Sequence, residues 1–282
     1  MSNFSSRRRK IVNYLSNKEL LKEIHRSKSS YCEFVEPKYA DYDIIVDSLS
    51  VVKGEVLEQA KVNRANRLNE IAGDLLFNEG YSNKEIESEL KKTGVKASQF
   101  KKENIVVRVL TNEHIPEVKD KKDKIIKYPV NFPPFQHFIF QDKAWVLVGQ
   151  SHYKDGKFAA ARHGNATRKL ALAYLKIVDR YANKGNWRGY SWLDEMKGQA
   201  IARLVQSGLS FNEHRSDNPF AYFTTIINNS FTRVLNKEKE LLSTKSKLIQ
   251  DVGYSASFGE QADHDINNYH MSSKPKLVKD DD

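Results

Sequence analysis

Four histidines, His137, His152, His163 and His214, are the residues best suited to acid–base or metal chemistry, with Asp142, Asp155 and Glu213 as the carboxylates near them in sequence. Together they could in principle hold an ion and cleave a phosphodiester. That chemistry needs ligands at spacings that converge on one point, and these match no metal motif. A lone histidine beside aromatic residues is commonly a packing residue. The chain also has no glycine-rich phosphate loop and no nucleophile elbow. Its single cysteine, Cys32, can form neither an internal disulfide nor a zinc site, which fits a reducing compartment. The expectation is a protein that is not an enzyme and carries no cofactor or metal.

The second kind of chemistry is hydrogen bonding along one helix face. In the segment from Asn218 to Leu235, Phe220, Phe223, Ile227, Phe231, Val234 and Leu235 form an apolar side. Tyr222, Thr225, Asn229, Thr232, Arg233 and Asn236 recur at steps of three and four, which places them on one stripe. The stripe is polar, mostly uncharged, and runs into Arg233, Lys237 and Lys239. A generic solvated face favours Glu and Lys. Asn, Thr and Arg together suit base edges and phosphates, and Tyr222 could stack on an exposed base. The competing reading is an outer face that covers another part of the protein, with the lysines a plain solvated helix end.

These residues need elements to hold them. Residues 165–242 read as three helices. The first spans about Thr167–Asn183, with Leu170, Tyr174, Ile177, Val178 and Tyr181 inward. The second spans about Ser191–Gln206, with Ser191 and Asp194 spaced as a capping box. The third starts at an Asp217 or Asn218 cap with Pro219 in the first position and runs to about Leu242. An earlier helix covers Asn17–Ser27, capped by Ser16 or Asn17. Residues 61–127 carry helical spacing at Leu68, Ile71, Leu75 and Leu76, then Gly80, then Ile86 and Leu90, then Gly94 and a third short helix at Ala97–Glu103. That order is similar to a helix-turn-helix, though a plain helical packing module fits it as well. Lys119–Lys127 and Pro129–Pro134 read as a junction. Asp155-Gly156 between Tyr153 and Phe158 signals a small β-hairpin.

The expected fold is thus mainly α. Its parts are a basic arm and helix in 1–60, a helical module in 61–127, a loop and hairpin in 128–164, a three-helix domain in 165–242, and a polar, disordered tail in 243–282. The 282 residues are 39% hydrophobic and 29% charged, with no apolar run that could span a bilayer. The net charge of +10 favours polyanionic partners. The run Arg7-Arg8-Arg9-Lys10 lacks the apolar core of an export signal and reads as a phosphate-touching arm.

Leu170–Glu240 resembles the second conserved region of bacterial RNA polymerase sigma factors. The likeness rests on Tyr181-Ala182-Asn183-Lys184-Gly185, Leu193-Asp194-Glu195-Met196, Phe211-Asn212, Tyr222-Phe223-Thr224 and Thr232-Arg233. Within that family, Asn218–Thr224, Arg233 and Asn236–Lys239 are similar to the late-transcription sigma factors of T-even-like bacteriophages, as is the opening Asn17–Leu21. Residues 40–160 are then an insertion relative to shorter members.

The resemblance implies a partner and a task. The second helix would dock on a coiled coil of the polymerase β′ subunit, and the third would recognise and melt the −10 promoter element. Asp194, Glu195 and Lys197 fall at the core-polymerase-binding positions, where Lys197 and Gly198 replace the usual Gln and Glu. Tyr222 falls at the position that stacks on a flipped base. Thr225 and Ile226 replace the usual tryptophan pair. Asn229 and Thr232 match positions that face the upstream −10 base pair. Arg233, Lys237 and Lys239 are expected to touch phosphates, and Asn236 to belong to the same DNA-binding stripe. No −35 domain follows residue 242, and Met271–Asp282 lacks the hydrophobic cluster that docks on a sliding clamp. Clamp coupling is therefore not carried over. The replaced tryptophan pair leaves room for a melting partner, and a phage co-activator or sliding clamp is the kind of partner the family would supply. The free chain is expected to be a monomer in the cytoplasm of the infected host. The alternative is a DNA-binding regulator that reads duplex with residues 61–111 and needs no core polymerase.

Overall fold

The computed structural model describes residues 15–159, 163–187 and 189–252. The basic run Arg7–Lys10 and the tail beyond residue 252 lie outside the described residues. The fold is a mix of helix and sheet, which corrects the expectation of a mainly α protein with one small hairpin. The elements run α1 (Asn17–Ser29), β1 (Cys32–Phe34), β2 (Ile44–Val46), α2 (Gly54–Asn78), α3 (Asn83–Thr93), β3 (Val107–Leu110), β4 (Glu117–Lys119), β5 (Ile125–Lys127), β6 (Phe135–Gln141), β7 (Ala144–Ser151), β8 (Tyr153–Lys154), β9 (Lys157–Phe158), α4 (Arg168–Ala182), α5 (Leu193–Ser207) and α6 (Pro219–Asp251). Five strands form a sheet in the order β1-β7-β6-β3-β2, and two separate hairpins pair β4 with β5 and β8 with β9.

The sheet escaped the sequence for a physical reason. Three of its five strands are three or four residues long, too short for an alternating pattern to register. Its only parallel pair, β2 with β3, joins segments 63 residues apart, as the Ile44–Val107 register shows. The central β6–β7 hairpin turns at Asp142 and Lys143, both at positive φ (51° and 66°). That is the backbone of a primed turn, built here without glycine. The Asp155-Gly156 turn does join β8 to β9. The charged stretch at Lys119–Lys127 is another hairpin, β4–β5, rather than a loop.

Four helices share the larger core. Leu20 and Ile24 of α1 pack with Leu170, Tyr174 and Val178 of α4, Met196 and Leu204 of α5, and Phe223, Ile227 and Phe231 of α6. Phe132 and Phe135 extend this core into the sheet. Ser16 and Glu19 close a capping box on α1. Thr167 caps α4 and Asn218 caps α6. The box expected at Ser191 and Asp194 does not form, because α5 starts two residues later with Trp192 at the cap and no side-chain bond. α6 continues to Asp251, well past Leu242.

A second core holds α2 on the sheet through Ala60, Val46, Val107 and Val109. α3 folds back on α2 at Gly73, where an added Cβ would sit 3.5 Å from Ile86 and Leu90. The third short helix expected at Ala97–Glu103 is instead two 3-10 turns, Ala97–Gln99 and Lys102–Asn104. The helix that would read DNA in a helix-turn-helix is therefore absent from that segment.

Candidate nucleic-acid interface

α6 lays out its polar stripe on the side opposite the core. Thr225, Asn229, Thr232, Arg233, Asn236 and Lys237 are all exposed. All but Thr225 line an open groove of about 530 Å³ that runs from Asn228 to Glu240. Glu240 puts one carboxylate at its far end. Thr225 donates its hydroxyl back to the Ala221 carbonyl at 3.0 Å, leaving its oxygen as an acceptor. A second groove of about 420 Å³ lies alongside, between α6 and α4. It brings Phe220, Thr224 and Asn228 against Arg180, Tyr181 and Lys184. Asn228 accepts from the Tyr181 hydroxyl at 2.7 Å, which ties the two helices at the groove floor.

Two residues of the expected set turn elsewhere. Tyr222 leans toward α5: its hydroxyl donates to the Ser207 carbonyl at 2.9 Å, and its ring lies against Phe211 and Phe223. Burial raises its pKa. Ile226 packs on the core edge. The exposed aromatic at this end of α6 is Phe220, at 43% exposure. Helical spacing alone could not show this: position 222 projects between Asn229 and Arg233, inside the polar stripe, and only the Ser207 carbonyl and the Phe211 ring draw its side chain toward α5.

At the start of α5, Asp194 and Glu195 point to solvent. Glu195 accepts from Gln199 at 3.0 Å. Lys197 is engaged within the protein, 3.2 Å from Asp179 of α4 and 3.9 Å from Asp194. Its ammonium links two helices, so the exposed charge on this face is acidic.

The histidines are dispersed. His137 is buried between Arg108 and the Tyr39 carbonyl. His152 is held by Ser151 and Asn131, and burial pushes its pKa down to about 3. His163 contacts the Tyr31 carbonyl, and His214 approaches Asp47 at 3.7 Å. Among the described residues, no three His, Cys, Asp or Glu side chains converge on a metal position.

Sequence reasoning missed a buried charged network. Arg108 is 1% exposed. It donates to His137 and His25, and its guanidinium lies 3.9 Å from the Tyr42 ring and 3.8 Å from the Phe135 ring. Nearby, Lys28 donates to Glu213 at 2.6 Å and to the Phe211 carbonyl at 2.7 Å. Asp43 accepts from Arg64, Arg67 and the Val106 amide. The one available signal was Arg108 interrupting the apolar run Ile105–Leu110. A charge inside such a run must find partners or lose far more than packing returns.

No helix among the described residues is long and apolar enough to cross a membrane. In comparisons with known proteins, no family model matches the chain, and no curated protein matches it.

Proposed function

We propose that this chain is a phage-type late-transcription sigma factor. On this reading it binds bacterial core RNA polymerase and recognises and melts a −10 promoter element in the cytoplasm of an infected host. The observation that carries the reading is the exposed stripe of Thr225, Asn229, Thr232, Arg233, Asn236 and Lys237 along one face of α6. It joins a groove flanked by Arg180 and Lys184. Amides, hydroxyls and cations in one line offer donors and acceptors to base edges and charge to phosphates. Phe220, rather than the inward Tyr222, supplies the accessible ring for an unstacked base, an interaction of roughly 1–3 kcal/mol. Asp194 and Glu195 supply the acidic patch for a basic helix of core polymerase.

The test is capture of purified core polymerase by the full chain, followed by permanganate footprinting on an AT-rich promoter. Capture with reactive thymines near −10 supports the reading. Duplex binding without core capture removes it in favour of a free-standing DNA-binding regulator. The form of that regulator using residues 61–111 is weakened by the missing third helix.

A further inference from the structure

α6 outlasts the core it packs on. Its buried side chains end at Val234, yet the helix continues to Asp251. The overhang is about 25 Å long. A lone helix of that length is marginal in water, because few backbone bonds offset the cost of nucleation. This overhang is also not polar all round. Leu241-Leu242 and Leu248-Ile249 repeat, at seven-residue spacing, the pair Val234-Leu235 that packs on the chain's own core. Leu241, Leu248 and Val252 are 53%, 60% and 74% exposed. Helical periodicity puts these residues, with Glu238 and Lys245, on the side of α6 that faces the core higher up. That side is opposite the stripe of Thr225, Asn229 and Asn236. A seven-residue apolar repeat is the pattern by which one helix seats against another.

The charges select the partner. Glu238 and Lys245 lie in the middle of the apolar stripe, equally far from the midpoint between Leu241 and Leu242. Leu235 and Leu248 are also equally far from it. A second overhang laid antiparallel about that midpoint sets each Glu238 against the Lys245 of the other copy. It also sets Leu241 against Leu242, and Leu248 against the edge of Leu235, which is half-buried on its own chain's core. A parallel, in-register pair would instead oppose Glu with Glu and Lys with Lys. The stripe is thus complementary to itself under a two-fold axis, the condition for an isologous interface.

We infer that the α6 overhang is the interface to a second copy of this chain, an antiparallel two-fold helix pair. The two bodies then sit at opposite ends of the pair, and the polar stripe of each α6 faces away from it. The inference does not rest on the nucleic-acid reading. A contact of this length buries less than about 1,200 Å², the size of weak, exchanging interfaces. On this inference the free chain is a weak, concentration-dependent dimer rather than the monomer expected from its sequence.

Sedimentation equilibrium of the full chain from about 1 to about 200 μM tests it. A monomer–dimer equilibrium is expected. Glu238→Lys and Lys245→Glu should each weaken the dimer by about fivefold or more, and the double swap E238K/K245E should restore it to within about twofold. Orientation is read by oxidative cross-linking. Chains carrying Glu238→Cys should link to chains carrying Lys245→Cys, while neither should link to itself. Native Cys32 stays out of that reaction, because its thiol is held at the Lys28 carbonyl and burial pushes its pKa up to about 12. A monomer at every concentration, self-linking of Glu238→Cys alone, or a double swap as weak as the single reversals would each overturn the inference. Dimer loss in the singles with recovery in the swap would establish the second copy over the chain's own tail or a foreign helix as occupant.

Discussion

Arg108 on β3 donates from Nε to Nε2 of His137 on β6 at 2.9 Å, and neither side chain meets solvent beyond 1%. The bond fixes the tautomer: His137 must be neutral, with Nδ1 donating to the Tyr39 carbonyl at 2.7 Å. Arg108 also donates to Nδ1 of His25, whose Nε2 reaches Asp41. Burial, then the Arg108 charge, holds His137 well below the ordinary imidazole pKa. Burial likewise lowers His25.

Acid should therefore weaken the fold. Both folded values lie below the unfolded value of about 6.5, so the unfolded chain binds more protons at mildly acid pH. Stability is complete above that value and falls as pH drops toward the folded values. Each such histidine contributes a slope of up to about 1.4 kcal/mol per pH unit. Urea unfolding at neutral pH and at two lower values measures it. His137→Gln can still accept from Arg108 and donate to Tyr39, and should remove one proton from the slope. An unchanged slope in that variant would contradict the lowered pKa assigned to His137.

Lys28 and Glu213 form a buried pair at 2.6 Å, with side chains 2% and 11% exposed. Burial lowers the Lys28 pKa, and the neighbouring Lys28 and Arg108 charges outweigh burial to lower that of Glu213. Lys28→Met should cost about 3–5 kcal/mol, because it strands Glu213 without its cation. The double variant K28M/E213L should regain most of that loss. A double-mutant cycle by chemical denaturation decides between this coupling and simple addition of two losses.

Gly208 lies against the ring of Tyr174. A Cβ there would fall 2.2 Å from the Tyr174 hydroxyl oxygen and 2.7 Å from its Cζ. Gly208→Ala should destabilise by about 1–3 kcal/mol through overpacking. The Tyr174 hydroxyl itself is buried without a hydrogen-bond partner among the described residues. Tyr174→Phe should therefore be neutral or stabilising, and thermal melting of both variants checks the pair.

On α6, position decides which substitutions touch function. Tyr222→Phe should lose about 1 kcal/mol of stability with its bond to Ser207, and leave promoter opening unchanged. Phe220→Ala should melt near the wild-type temperature and open promoters poorly. Arg233→Ala should weaken DNA binding and lower the salt slope by about one. Normal opening by Phe220→Ala, measured by permanganate reactivity, would withdraw that residue from the site.

The helical half was legible because each of its helices carries its own local instructions. Pro219 after Asn218, Thr167 before Arg168 and the apolar spacing of Leu170, Tyr174, Ile177 and Val178 fix starts and inward faces within a few residues of chain. So does the polar spacing of Thr225, Asn229, Thr232 and Asn236. Pairing is not local. Val46 on β2 and Val109 on β3 are neighbours only because segments far apart in sequence align, and three-residue strands hold too few side chains to announce it. Burial is not local either. The sequence supplies Arg108, His25, Lys28 and Glu213 as ordinary charged or polar residues. Only packing decides that they leave water together, and desolvation then forces them to pair. The direction of Tyr222, which helical spacing alone places within the polar stripe, was settled by the Ser207 carbonyl of another helix.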